Sequence, residues 1–124
     1  MYYFVTENFS NGLDKMNHNE GELLQFDGYN VINKQGTVIF VLNSENFRTK
    51  GFVIENNIEI EKVPILKNLY RVYKNGIAKC TFKIKKEKLL ILPYRKELPG
   101  KKDFFIDRSS FNEVISELIC SEWI

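Results

Sequence analysis

Between Ile77 and Lys85 the chain alternates, with Ala78, Cys80, Phe82 and Ile84 set against Lys79, Thr81 and Lys83. A period of two places these sets on opposite faces of a half-buried β-strand. Asn75-Gly76 stands just before it, and this pair accepts positive φ at both central positions of a two-residue turn. Leu69–Tyr73 and the alternating segment are therefore predicted to form a hairpin. Asn33-Lys34-Gln35-Gly36 separates Gly28–Ile32 from the run Thr37-Val38-Ile39-Phe40-Val41-Leu42, whose apolar character predicts a central strand buried on both faces. Asn56-Asn57 divides Gly51–Glu55 from Ile58–Lys62 and predicts a third tight hairpin turn, since asparagine tolerates positive φ. Leu89-Leu90-Ile91-Leu92 ends at Pro93, which has no N–H to give to a ladder. Glu97–Lys102 reads as an exposed loop and Asp103–Ile106 as a last short strand.

From Ser110 the period changes. Phe111, Val114, Ile115, Leu118, Ile119 and Trp123 recur at spacings of three and four, giving the apolar stripe of an amphipathic helix over about residues 110–122. Ser110 and Glu113 form a capping box at its start. Residues 7–21 are polar and asparagine-rich, broken by Gly12 and Gly21, and read as a loop with a turn of helix around Leu13–Met16. The expected fold is α+β and mostly β: an antiparallel sheet built from hairpins, with the C-terminal helix packed on one face.

A length of 124 residues predicts one domain with a normal core. Apolar residues make up 44% and charged residues 27%, which excludes a disordered or membrane-embedded class. The opening Met1-Tyr2-Tyr3-Phe4-Val5-Thr6 carries no basic stretch and meets polar residues from Glu7, so no secretory signal is expected and the predicted compartment is the cytoplasm. Cys80 and Cys120 both fall where an inward-facing position is expected. In that compartment two buried free thiols are expected rather than a disulfide.

Charge is polarised. Residues 1–62 hold five Lys/Arg against nine Asp/Glu, a net of −4, and residues 63–124 hold thirteen against seven, a net of +6. The excess lies within residues 63–102, where twelve basic residues meet two acidic ones. The candidate partner-binding set is Arg71, Tyr73, Lys79, Lys83, Lys85, Lys86, Lys88, Tyr94, Arg95, Lys96, Lys101 and Lys102. Lys79, Lys83 and Lys85 beside a Lys96–Lys102 loop are expected to build a positive stripe with Tyr70, Tyr73 and Tyr94 near it. Three readings of that stripe stay open: a solvated strand surface, a site for an acidic protein surface, and a site for single-stranded nucleic acid, with phosphates held by charge and bases stacked on tyrosines.

Signals for chemistry are sparse. His18 is the sole histidine. A general-base role with Asp14 or Glu20 is set against a plain surface residue, and the surface reading is preferred. Glu59, Glu61 and Lys62 have the spacing with which nucleases hold Mg²⁺, with Asp27 as the available further carboxylate, but alternating glutamate on the wet face of a strand explains the pattern with no chemistry and is the preferred reading. No cofactor or metal is expected, since no CxxC pair, phosphate-cradling loop or nucleophile elbow is present.

The segment Leu69-Tyr70-Arg71-Val72, the strand after it, Leu89-Leu90-Ile91-Leu92 and Tyr94-Arg95-Lys96 loosely resembles the C-terminal sheet of RelE-type ribonuclease toxins, over about a quarter of the chain. The resemblance implies a small ribonuclease with Arg71, Tyr94 and Arg95 at its site. It departs from that family at the start, where a helical hairpin is expected and residues 1–62 read as strands. The leading expectation is a non-enzymatic binding protein, an inhibitor or regulator that engages an acidic surface through its basic region. Its composition, rich in Lys, Asn and Ile, suggests a low-GC bacterium or a phage as source. No membrane partner is expected, and monomer and homodimer both remain open.

Overall fold

The computed structural model describes residues 1–107 and Leu118. Its strands form two five-stranded antiparallel sheets. The first contains β1 (Tyr2–Val5), β2 (Leu23–Phe26), β3 (Asn30–Ile32), β4 (Val38–Val41) and β5 (Gly51–Ile54) in the order β4-β3-β2-β1-β5, so the last strand returns to pair with the first. A short helix, α1 (Glu45–Thr49), links β4 to β5; the Ser44 hydroxyl caps it by accepting from the Phe47 N–H at 3.2 Å. The second sheet is a plain meander of β6 (Ile58–Lys62), β7 (Leu69–Lys74), β8 (Ile77–Ile84), β9 (Lys88–Pro93) and β10 (Phe104–Asp107). No helix among the described residues is long and apolar enough to cross a membrane.

The fold is thus mostly β, as expected, but with two sheets in place of one. The predicted helix over residues 110–122 lies outside the described residues, apart from Leu118, which is fully buried. The Asn75-Gly76 hairpin forms as predicted, with φ of 52° and 81° at its two central residues and Lys74 paired with Ile77. The Asn56-Asn57 hairpin does not. Neither asparagine has positive φ, and β5 pairs with β1 while β6 pairs with β7. Phe52, Ile54 and Ile58 all belong to one core cluster, so this turn is a corner that carries the chain from one sheet to the other.

The expected central strand at Thr37–Leu42 is instead the edge strand β4. Ile39 and Phe40 are both buried, which accounts for the apolar run, but the second face is covered by the 7–21 loop rather than by another strand. Leu13 N–H donates to the Ile39 carbonyl at 2.7 Å, and Gly12 lies against Ile39 so closely that an added Cβ would stand 2.8 Å from its Cγ2. No helix forms at Leu13–Met16. Lys15 N–H closes a turn on the Gly12 carbonyl, and Phe9 and His18 bridge the two arms of the loop.

Two cores follow from the alternation of β1. Phe4 points toward the second sheet and joins Phe52, Tyr70 and Phe82 in an aromatic cluster with ring centroids 5.0–5.6 Å apart, surrounded by Val72, Cys80, Leu89, Ile91 and Leu118. Tyr3 and Val5 point the other way, to Leu24, Phe26, Val31, Phe40 and Phe47. Tyr3 and Phe40 touch at 5.2 Å although their strands are three places apart in the sheet, a separation of ~14 Å in a flat sheet. The first sheet therefore curls around this second core, with Phe47 of α1 closing it.

Candidate partner-binding face of the second sheet

Strand register decides which side chains share the outer face of the second sheet. Glu61 lies opposite Arg71, Arg71 opposite Thr81, and Thr81 opposite Leu92. In the next row Leu69 faces Lys83, Lys83 faces Leu90, and Leu90 faces Phe105. Glu59 lies opposite Tyr73, and a register shift after Val72 brings Tyr73 beside the Ala78–Lys79 stretch. Directly opposed residues in an antiparallel pair project to the same side, so this face interleaves leucines with cations. Leu69, Leu90 and Leu92 are half-buried and Phe105 is 55% exposed; the Lys88 ammonium sits 5.5 Å over the Phe105 ring, a cation–π contact.

Arg71 occupies the middle of this grid. Its Nη1 donates to the Tyr73 hydroxyl at 3.3 Å, while its Nε is buried and makes no hydrogen bond. The Tyr73 hydroxyl above all, with Tyr94 and Glu61 more weakly, raises the guanidinium pKa further. A permanent cation fixed in place by its own strand suits recognition of a carboxylate.

The predicted basic set divides into three groups. Arg71, Tyr73, Lys79 and Lys83 share the outer face, with Lys88 at its β9 margin. Lys85 and Lys86 lie in the β8–β9 turn, exposed, and line a cavity of about 460 Å³ with Thr6, Glu7, Glu20 and Asn68. Arg95, Lys96, Lys101 and Lys102 belong to the loop that follows Tyr94, at the opposite end of the hairpin, because Tyr94 N–H bonds to the Lys79 carbonyl. The expected stripe joining Lys85 to the Lys96–Lys102 loop is therefore not continuous: antiparallel pairing of β8 with β9 sends the two segments to opposite ends. Arg95 is also engaged locally, donating to the Lys101 carbonyl and pairing with Asp103 at 3.6 Å.

His18 is the main residue the sequence reading misplaced. It is 3% exposed, not on the surface. Its Nε2 lies 2.7 Å from Asp14 Oδ2 and its Nδ1 3.2 Å from Glu22 Oε1, while its ring packs on Phe9 at 5.1 Å. Burial pulls the imidazole pKa down, but hydrogen bonds to Asp14 and Glu22 and the charges of both outweigh it and leave it raised. Asp14 responds oppositely. Burial would raise it, but hydrogen bonds from His18, Asn33 and the Met16 N–H leave it below its ordinary value. Asn33 completes the cluster, donating to Asp14 at 3.1 Å while its Oδ1 accepts from the Gln35 and Thr37 N–H groups. The spacing Asp14, His18, Glu22 was the available signal, though in a loop a step of four carries no face. Both ring nitrogens are engaged, so the cluster pins the 7–21 loop to the β3–β4 turn.

The nuclease-like carboxylates stay apart. Glu59 and Glu61 stand on β6, whereas Asp27 belongs to the β2–β3 turn of the other sheet and accepts from the Tyr29 and Asn30 N–H groups at 2.8 and 2.7 Å. No cluster of three or more metal-ligating side chains occurs among the described residues. The chain matches no protein-family model, and neither the curated proteins nor the solved structures compared with it give a significant match.

Proposed function

We propose that this chain is a non-enzymatic binding protein that engages an acidic protein surface through the outer face of its second sheet, as an inhibitor or regulator of that partner. The observation that carries the reading is the grid itself: Leu69, Leu90 and Leu92 half-buried between Arg71, Lys79 and Lys83. Leucines around a central arginine supply the apolar area and the residue type that protein interfaces favour, and Lys79 and Lys83 supply charge that steers and selects an acidic partner. A single-stranded nucleic acid is served better by a row of free aromatic platforms. Here aliphatic side chains, Leu69, Leu90 and Leu92, stand between the cations in place of such a row, and the Tyr73 hydroxyl is committed to Arg71.

The test is capture from a lysate of the source cell on the immobilised chain, run beside a variant carrying Lys79→Glu and Lys83→Glu. The expected result is a protein retained by the wild type and lost with the variant, whose far-ultraviolet spectrum and melting temperature are unchanged. Labelled single-stranded RNA titrated in parallel at two salt concentrations gives the competing outcome. RNA affinity that falls steeply with salt, with no protein retained, would replace this reading.

A further inference from the structure

The β6–β7 connection carries the least protected apolar group among the described residues. Ile65 is 101% exposed, and its neighbour Leu66 is 54% exposed. Ile65 also has φ of 75°, a conformation in which a β-branched side chain clashes with its own backbone. The chain thus holds an isoleucine where glycine or asparagine would fold more easily, and holds it in water. Strain that contributes nothing to packing is characteristic of sites selected for contact with something else.

The loop is built to keep that tip in place. Val63 N–H donates to the Leu69 carbonyl at 3.0 Å, and Ile84 N–H donates to the Asn68 carbonyl at 2.8 Å, tying the loop base to β7 and β8. Pro64 fixes one more backbone angle. Such pre-organisation lowers the entropy lost when a partner binds.

We infer that Ile65, with Leu66 beside it, is an anchor that enters an apolar pocket on the acidic protein partner, next to the face formed by Leu69 and Lys83. This rests on the function proposed above and adds to it the point of insertion. Leu66, Lys67, Asn68, Leu69 and Lys83 line one continuous groove, which joins the tip to the outer face, and Lys67 and Lys83 give its rim the charge that an acidic partner complements. A lipid bilayer fits less well. The loop offers two aliphatic side chains and none of the Trp or Tyr that favour the headgroup region, and a flat bilayer does not reach both a loop tip and the sheet face beside it.

The experiment uses the protein captured above, identified by mass spectrometry and purified, as the probe. It is titrated against the full chain as wild type, as Ile65→Asn, and as the Lys79→Glu, Lys83→Glu variant. Asparagine accepts positive φ, so Ile65→Asn is expected to keep or raise the melting temperature while weakening binding about tenfold or more. If Ile65→Asn binds as wild type while the double lysine variant does not, the face is the interface and the anchor is refuted. If no protein is captured, the functional proposal falls and the anchor with it. Sedimentation with phosphatidylserine–phosphatidylcholine vesicles closes the remaining route: vesicle binding by the wild type that is lost in Ile65→Asn makes the tip a lipid contact and overturns the inference.

Discussion

His18 Nε2 lies 2.7 Å from Asp14 Oδ2, and the two side chains are 3% and 1% exposed. The pair fastens the 7–21 loop over the first sheet, and its protonation state sets a pH window. The His18 pKa is raised above its ordinary 6.5, so its stabilisation is fully present below that value and lost as pH climbs through the raised one. The Asp14 pKa is lowered from 3.8, so its contribution is present above 3.8 and lost as pH falls through the lowered value. Both are complete between about pH 4 and pH 6.5. The melting temperature is expected to peak in that interval and to drop toward pH 8.5, and the alkaline drop should vanish in His18→Gln. Because the chain has one histidine, its imidazole resonances titrate without overlap; a midpoint at or below 6.5 would contradict the geometry. Asp14→Ala, which strips partners from both His18 and Asn33, should cost roughly 3 kcal/mol.

A hydroxyl on the second sheet also holds the same loop. Tyr70, 2% exposed, donates to Glu20 Oε2 at 2.7 Å across fifty residues of sequence, and burial followed by the Glu20 bond drives its phenol pKa well up. Tyr70→Phe keeps the ring stack on Phe82 and removes only this link. The expected loss is about 1–2 kcal/mol, with faster amide exchange in residues 18–22 and unchanged exchange in β8. Equal acceleration in both would place the damage in the aromatic core rather than at the hydroxyl.

What the sequence revealed and what it hid divide along local lines. The Asn75-Gly76 turn and the alternation of β8 were legible because both are decided within a few residues: a turn type demands positive φ, and a period of two demands a face. The number of sheets was not legible, because Asn56-Asn57 serves equally as a hairpin turn or as a corner, and only the shared core of Phe52, Ile54 and Ile58 selects the corner. The position of β4 was misread for a related reason. An apolar run reports burial on two faces, and Ile39 is buried by a loop that no periodicity announces. The outer-face grid of Arg71, Lys79 and Lys83 could be anticipated from alternation, but its interleaved leucines required the register. Helix α1 went unseen, although Ser44 ahead of Glu45 was its signal, because five residues are too few to show a period.

Gly51 is expected to be intolerant of any side chain. It begins β5 opposite Val5, and a Cβ there would collide with the Phe4 carbonyl and stand 2.7 Å from Tyr3 Cε1. Neither neighbour has room to yield, since Tyr3 and Phe4 are buried on opposite faces of β1. Gly51→Ala should therefore break the β1–β5 pairing and destabilise by more than about 3 kcal/mol. Gly76→Ala sits at positive φ in open space and should cost only about 1 kcal/mol. Denaturant midpoints for the two variants that fell in the reverse order would show that β5 does not close on β1.

Cys80 reports on whether the two sheets stay together. It is fully buried in their shared core as a free thiol, and burial pushes its pKa up to about 12. Alkylation needs the thiolate, so at pH 8 the native thiol is shielded twice, by scarcity of the reactive form and by lack of access. In a Cys120→Ser background, iodoacetamide should therefore label Cys80 only as fast as the sheets part. The labelling rate should rise with urea in step with loss of the tertiary signal, and it should rise in Gly51→Ala without denaturant. Rapid labelling of the folded wild type would mean that the second sheet opens independently of the first. The outer face would then have to be read as the surface of a mobile sheet rather than of a fixed one, and the affinity lost in the lysine variants would include the cost of ordering it.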